Sequence, residues 1–226
     1  MKKFTEIIPR GLIVSCQARM GEPLFSSDIM ARMAECAQIG GAIGIRANTP
    51  SDIRAIKGRV PLPVIGIYKI VTKMSDVYIT PTFKSAQDIA DAGADVIALD
   101  ATSRPRPDGE ILEELIKRIH EELDLPVMAD CSMLEEGLAA VCFGADAVAT
   151  TLSGYTPYSP QSKDPDWELL SALIEKLNVL VVAEGRFNTP ELAAKAIQMG
   201  AYAVVVGTAI TRPQDVTAWF AQALGK

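Results

Sequence analysis

Histidine is almost missing from this chain: its 226 residues include one, His120. An imidazole relay therefore has little to draw on. A catalytic divalent metal site, which usually takes a His ligand, is poorly supplied as well. His120 borders the apolar stripe of a charged helix and reads as structural, so acid–base chemistry falls to Lys, Glu and Asp. The four cysteines, Cys16, Cys36, Cys131 and Cys142, form no CxxC pair. Cys16 and Cys131 lie beside candidate site positions, but without a His partner a thiolate nucleophile is disfavoured. No apolar run is long enough to span a bilayer, and Met1–Arg10 is mixed and charged, unlike a signal peptide. Basic residues are in deficit too, 22 Lys and Arg against 28 Asp and Glu, for a net charge of −6. That argues against nucleic-acid binding, which needs a basic face. It leaves an anionic substrate open, because a few N–H groups and one Arg can hold a phosphate. The expectation is a reduced, cytoplasmic protein with no metal, no cofactor, no nucleic acid and no membrane partner.

What is present is apolar sequence in alternating blocks, 49% of the chain. Short apolar runs read as parallel strands covered on both faces: Leu12–Ala18, Ala42–Ala47, Val64–Ile70, Val96–Thr102, Val127–Ser132, Ala147–Leu152, Val179–Glu184 and Ala203–Gly207. Amphipathic helices fit between them, most clearly Ile111–Leu123, with Ile111, Leu112, Leu115, Ile116, Ile119 and Leu123 on one stripe. A Gly-Ala pair recurs at Gly41, Gly93, Gly144 and Gly200, about two βα units apart. Each suits a glycine that ends a helix in a left-handed turn, and together they place strands 2, 4, 6 and 8. Eight βα units in this length predict an α/β protein, one (β/α)8 barrel domain of TIM type over residues 1–226.

Two segments break the rhythm. Ile70–Pro81 is longer than a βα loop needs and has room for an extra short strand. Ser153–Asp166, rich in Pro, Ser and Tyr, follows strand 6 and reads either as a lid or as a solvated loop.

In a barrel, polar residues at the C-terminal ends of strands are site candidates. Here they are Gln17, Arg46, Lys69, Asp100, Asp130, Thr151 and Glu184. One such residue would suit a structural plug; a ring of them favours a site. Lys69 shares a strand face with Ile65 and Ile67. At the mouth of an apolar interior its ammonium loses solvation, which lowers its pKa. It can then serve as a base or as a Schiff-base nucleophile. Glu184, on the face of Leu180 and Val182, has three readings: a partner for Lys69 across the barrel, a second acid/base, or a residue that holds Lys69 in place.

The tail from Val179 to Pro213 adds a ligand. Its strands end Glu184-Gly185-Arg186 and Gly207-Thr208, the positions after strands 7 and 8 where barrels usually hold phosphate. Glycines let backbone N–H groups approach an anion, and a following helix start adds its positive end. Thr189-Pro190 is such a start, and Arg212 can add a charge-assisted bond. This phosphate-binding type of barrel predicts a phosphorylated small molecule.

These motifs carry a resemblance. IVSCQA (Ile13–Ala18), GAIGIRAN (Gly41–Asn48), PVIGIYK (Pro63–Lys69), LDAT (Leu99–Thr102), MADCS (Met128–Ser132), TTLSGYT (Thr150–Thr156), AEGR (Ala183–Arg186) and VVVGTAITRP (Val204–Pro213) resemble the N-acylglucosamine-6-phosphate 2-epimerases, also called N-acetylmannosamine-6-phosphate 2-epimerases, of bacterial sialic-acid breakdown. The likeness covers nearly the whole chain, and no family site position is replaced. It implies interconversion of N-acetylmannosamine 6-phosphate and N-acetylglucosamine 6-phosphate without metal or nucleotide. Lys69 would take and return the C2 proton, with Glu184 its partner or a second acid/base. Gln17, Arg46 and Asp130 would bind and orient the sugar; Gly185, Arg186, Gly207, Thr208 and Arg212 would hold the phosphate. It also implies a homodimer, to which the apolar last helix with Trp219 and Phe220 can contribute. The competing readings are a Schiff-base phosphosugar lyase using Lys69 and a non-catalytic phosphosugar sensor.

Overall fold

Two-residue alternation on every apolar run decides which side chains face each other. In the computed structural model, which describes residues 1–225, eight parallel strands close into one barrel in sequence order, with β8 returning to β1. In chain order the elements are α1 (Phe4–Ile7), β1 (Gly11–Cys16), α2 (Ser27–Ile39), β2 (Gly44–Asn48), α3 (Pro50–Lys57), β3 (Val64–Ile67), α4 (Phe83–Ala90) and β4 (Val96–Asp100). They continue with α5 (Leu112–Arg118), β5 (Val127–Asp130), α6 (Leu134–Cys142), β6 (Ala147–Ala149), α7 (Trp167–Lys176), β7 (Leu180–Glu184), α8 (Pro190–Met199), β8 (Ala203–Val206), α9 (Thr208–Thr211) and α10 (Pro213–Ala223).

One set of alternate residues, including Ile13, Ile65, Ile67, Val96, Met128 and Val182, fills the barrel interior. The other set, including Val14, Ile45, Ile97, Val127 and Val204, packs outward against the helices. Both sets are buried, which is why these strands read as unbroken apolar runs. The short α1 and Ile8 close the bottom: Phe4 meets Tyr202 edge-on at 6.3 Å, and the Tyr202 hydroxyl donates to the Ile8 carbonyl at 2.8 Å. Nothing in the mixed composition of Met1–Arg10 announced that plug.

All eight predicted strands are present. Several stop earlier than the apolar runs do: β1 at Cys16, β3 at Ile67 and β6 at Ala149. Gln17, Lys69 and Thr151 therefore stand just beyond the ladder, at the rim. The recurring glycines behave as expected. Gly41, Gly93, Gly144 and Gly200 have φ of 91°, 99°, 100° and 114°, and β2, β4, β6 and β8 begin shortly after them. The predicted helix at Ile111–Leu123 needs correction at both ends. Ile111 is its exposed N-cap rather than part of the buried stripe, and Ile119–Leu123 is a π-helical turn. His120 sits in that turn, its Nε2 3.0 Å from Asp146 Oδ2, in a structural contact. In Ile70–Pro81 the expected strand reduces to one antiparallel bridge, Lys69 with Ile79, flanked by Ile70 N–H to Tyr78 O and Thr80 N–H to Tyr68 O, each 2.9 Å.

Candidate active site

The interior residue that ends each strand stands above the apolar plug, and at this level the polar ring closes on Arg46. Its side chain is 1% exposed, and Asp130, at 0%, grips it with two oxygens at 3.0 and 2.5 Å. Arg46 Nη1 also donates to Glu184 Oε2 at 2.7 Å. A buried cation survives only when it is paired and hydrogen-bonded, and two carboxylates meet that need here. Burial works against the charge on Arg46, but Asp130 and Glu184 outweigh it and raise its pKa. Thr151 Oγ1 joins the cluster, 2.6 Å from Asp130 Oδ1 and 3.2 Å from Glu184 Oε2.

Lys69 sits across the mouth. Its backbone N–H donates to Asn48 Oδ1 at 2.9 Å, and the bridge to Ile79 fixes its other edge. Its Nζ donates to Gln17 Oε1 at 2.7 Å, while Gln17 Nε2 donates to Ser15 Oγ at 2.8 Å. Burial first, then repulsion from Arg46, brings its pKa from 10.5 down to about 8. Glu184 moves the opposite way. Burial pushes it up to about 7, with Asp130 adding to the rise and Arg46 opposing it. Thr150 fixes its backbone from both sides: Glu184 N–H donates to Thr150 Oγ1 at 3.0 Å, and that hydroxyl donates to the Glu184 carbonyl at 2.8 Å.

The reading of Glu184 as a direct partner of Lys69 is corrected by this geometry. Glu184 pairs with Arg46 and Lys69 bonds Gln17. Asp100, though in the ring by sequence, is engaged elsewhere: its carboxylate takes the Thr102 N–H at 2.9 Å, the Thr102 hydroxyl at 2.6 Å and Arg104 at 2.7 Å. Both cysteines near the site are poor nucleophiles. Burial pushes Cys16 up to about 12 and Cys131 well above its usual range. Among the described residues, no three or more His, Cys, Asp or Glu are grouped to hold a metal ion.

The loops after β7 and β8 lie side by side, since these strands are neighbours. Gly185 and Arg186 both have positive φ, 106° and 63°, and Gly207 is the N-cap of α9. A Cβ on Gly207 would stand 3.2 Å from that of Ser15, so glycine is what lets the loop approach β1. Thr189 caps α8 with Pro190 next, as expected. The guanidinium groups are already engaged. Arg186 donates to the carbonyls of Asp164 and Ser153, each at 2.8 Å, and Arg212 pairs with Glu22 and, at 2.9 Å, with Asp215. The Ser153–Asp166 segment is accordingly well tied. Ser153 Oγ donates to Asp166 at 2.5 Å, and Tyr158 donates to the buried Glu136 at 2.8 Å.

Sequence reasoning missed Asn48, Ser15, Thr150 and Tyr78. Asn48 ends a strand and was legible on the ring criterion. Ser15 and Thr150 act through backbone or neighbour contacts that alternation does not reveal. Tyr78, its pKa raised by burial and by Asp100, arrives on a loop whose path had no signal.

Comparison with known proteins identifies the family. The family model described as "Putative N-acetylmannosamine-6-phosphate epimerase" matches residues 30–226. A "Putative N-acetylmannosamine-6-phosphate 2-epimerase" of Caldanaerobacter subterraneus subsp. tengcongensis is 53% identical over 214 residues, 94% of this chain and 90% of the relative. A solved N-acetylmannosamine-6-phosphate 2-epimerase from Clostridium perfringens superposes with a TM-score of 0.95 at 48% identity, covering 98% of this chain and 96% of that one. A (S)-3-O-geranylgeranylglyceryl phosphate synthase from Thermoplasma acidophilum, 18% identical with a TM-score of 0.59 over 94% of this chain and 93% of its own, shares the fold alone. The chain belongs to the N-acetylmannosamine-6-phosphate 2-epimerase family.

Proposed function

We propose that this protein interconverts N-acetylmannosamine 6-phosphate and N-acetylglucosamine 6-phosphate by removing and returning the proton at C2, in amino-sugar catabolism. The observation that carries the mechanism is that one barrel mouth holds two part-buried titratable groups, Lys69 bonded to Gln17 and Glu184 paired with Arg46, with burial moving the pKa of each toward neutrality. Opening the sugar ring exposes the C1 carbonyl and acidifies C2. Neutral Lys69 takes the C2 proton, and the negative charge moves onto the carbonyl oxygen. Cationic Lys69 then faces that oxyanion and stabilises it. Inversion requires a proton on the opposite face. Glu184, whose pKa burial pushes up to about 7, supplies it from its protonated form without rotation of the intermediate. Gln17 orients Lys69, and Asp130 keeps Arg46 charged and aimed.

The phosphate is assigned to Gly185, Arg186, Gly207, Thr208 and Arg212, at the mouths of β7 and β8. Backbone N–H groups are its main donors here, because Arg186 and Arg212 already hold protein acceptors. The whole chain is proposed to be one barrel domain acting in the cytoplasm as a homodimer. Supporting the dimer, α10 contains no buried residue and presents Phe220 at 70% exposure, with Leu224 at its C-cap 81% exposed.

Proton NMR in deuterium oxide tests the reaction, using chelator-treated protein and N-acetylmannosamine 6-phosphate. The expected result is N-acetylglucosamine 6-phosphate carrying deuterium at C2, with neither product nor exchange from Lys69→Ala. Absence of both from the wild type refutes the epimerase reading. A borohydride-trapped adduct with substrate would instead favour the Schiff-base lyase.

A further inference from the structure

The strand that carries Lys69 runs out of sheet before it reaches the mouth. β3 pairs with β4 only at Ile65 and Gly66, and its ladder with β2 ends at Ile67. Beyond that point Tyr78–Thr80 enters as a wedge between the extension of β3 and the end of β4. Along one edge it holds the Lys69–Ile79 bridge, and Thr80 N–H donates to Tyr68 O at 2.9 Å. Along the other, Asp100 N–H donates to Ile79 O at 2.9 Å. Ile79 is buried with Ile65 and Ile67 in the barrel interior.

Thr80 completes this wedge in a costly conformation. It is fully buried and has φ of 44°. A β-branched residue is an outlier there, and such backbone persists only where its surroundings hold it. Glycine would take the same φ freely but has no side chain. Threonine brings a hydroxyl, which accepts from Tyr68 N–H at 3.1 Å and donates to the Ala98 carbonyl at 2.6 Å. It therefore stitches the residue before Lys69 to β4, across the gap where the two strands have ceased to pair. Arg106, also buried, secures the far side, donating to Pro81 O at 3.0 Å and to the Asp100 carbonyl.

We propose that Thr80 is a positioning residue: its hydroxyl bridge seats the wedge between β3 and β4 and thereby sets where Lys69 stands at the mouth. It acts through the Tyr68 backbone, to which it bonds twice. This deepens the epimerase reading and rests on Lys69 being the base at C2. A base displaced by about 1 Å loses up to roughly 100-fold in rate. The wedge also helps to desolvate Lys69. The charged groups facing that lysine, Arg46, Glu184, Arg19 and Asp130, are all kept when Thr80 is replaced. A change in its titration then reports its position and hydration.

Two measurements test this, each on protein shown by circular dichroism to be folded at the assay temperature. One is kcat and KM for epimerisation. The other is a lysine 13Cε NMR titration of the substrate-free protein, with the Lys69 signal assigned by its absence from Lys69→Met. Thr80→Val keeps the branched shape but leaves the Tyr68 N–H without its acceptor. Its kcat should fall about 10–100-fold with KM within about threefold, and its Lys69 midpoint should rise by about one pH unit toward the ordinary value. Thr80→Ser keeps the hydroxyl and should match the wild type in both. Thr80→Ala, also without the hydroxyl, replaces the valine variant if that does not fold. A Val or Ala variant with near-wild-type kcat, a loss carried by KM, an unmoved Lys69 midpoint, or a Ser variant as impaired as Val each overturns the proposal. A residue serving stability alone would leave folded variants unchanged in kcat and titration. Failure of the epimerase reading shows separately, as a wild type that leaves C2 unexchanged, and the titration then decides the role of Thr80 without turnover.

Discussion

Lys69 should weaken the fold that carries it, and Lys69→Met should recover that stability while ending turnover. In the folded protein its pKa is about 8, against 10.5 for an ordinary lysine. Between those values the unfolded chain binds the extra proton, so wild-type stability rises with pH across the window. Below pH 8 the penalty is complete. At about 1.4 kcal/mol per pH unit it amounts to roughly 3 kcal/mol. Partial exposure of the side chain and the lost bond to Gln17 reduce the net gain expected from methionine to about 1–2 kcal/mol. For a chain of this size that raises Tm by roughly 2–8 °C. Urea unfolding at pH 7 and pH 10 measures it, and subtracting wild type from variant removes the titrations they share. The variant should be the more stable at pH 7, and the difference should shrink markedly by pH 10. A less stable variant, or a gap that ignores pH, refutes the assignment of Lys69 as a desolvated base.

Three further outcomes follow from the same contacts. Glu184→Gln retains the shape but cannot donate its proton reversibly, so kcat for epimerisation should fall about 10²–10⁴-fold; a variant near wild-type activity would leave Lys69 as the one acid/base. Asp130→Ala strips the buried Arg46 of its two-point partner and should cost roughly 3–5 kcal/mol, visible as a large Tm drop. Gly66→Ala would put a Cβ 2.7 Å from that of Ala94 and 3.1 Å from Ile53 Cδ1, between β3 and its covering helices, and should destabilise by about 1–3 kcal/mol in denaturant titration with little change in KM.

Most of the barrel was legible because each of its signals is local. Apolar runs of strand length gave the eight strands, and the glycines at 41, 93, 144 and 200 marked where alternate strands begin. The ring of site candidates was legible for the same reason: alternation fixes which residue at a strand end faces inward. What alternation cannot supply is the pairing across the mouth. Arg46 reaches Asp130 and Glu184 because closure brings β2, β5 and β7 around one axis, a relation between residues 84 and 138 positions apart. Arg186 was read toward phosphate from its neighbours in sequence, yet its guanidinium meets carbonyls of the β6 loop, whose path carries no periodic signal.

That pairing has a chemical consequence. Had Lys69 and Glu184 formed a direct ion pair, each would have stabilised the charge on the other. The lysine pKa would rise, the glutamate pKa would fall, and neither would exchange a proton easily near pH 7. Because Glu184 pairs with Arg46 instead, the cation it contacts is one that does not titrate, and the same cation repels the proton of Lys69. Burial then dominates both groups and drives them toward each other, to about 7 and about 8. Two residues proposed to exchange protons with C2 are thereby brought toward each other and toward neutral pH, which is where general acid–base catalysis is most effective. Arg46 thus contributes by taking up Glu184 as its ion-pair partner while repelling the proton of Lys69.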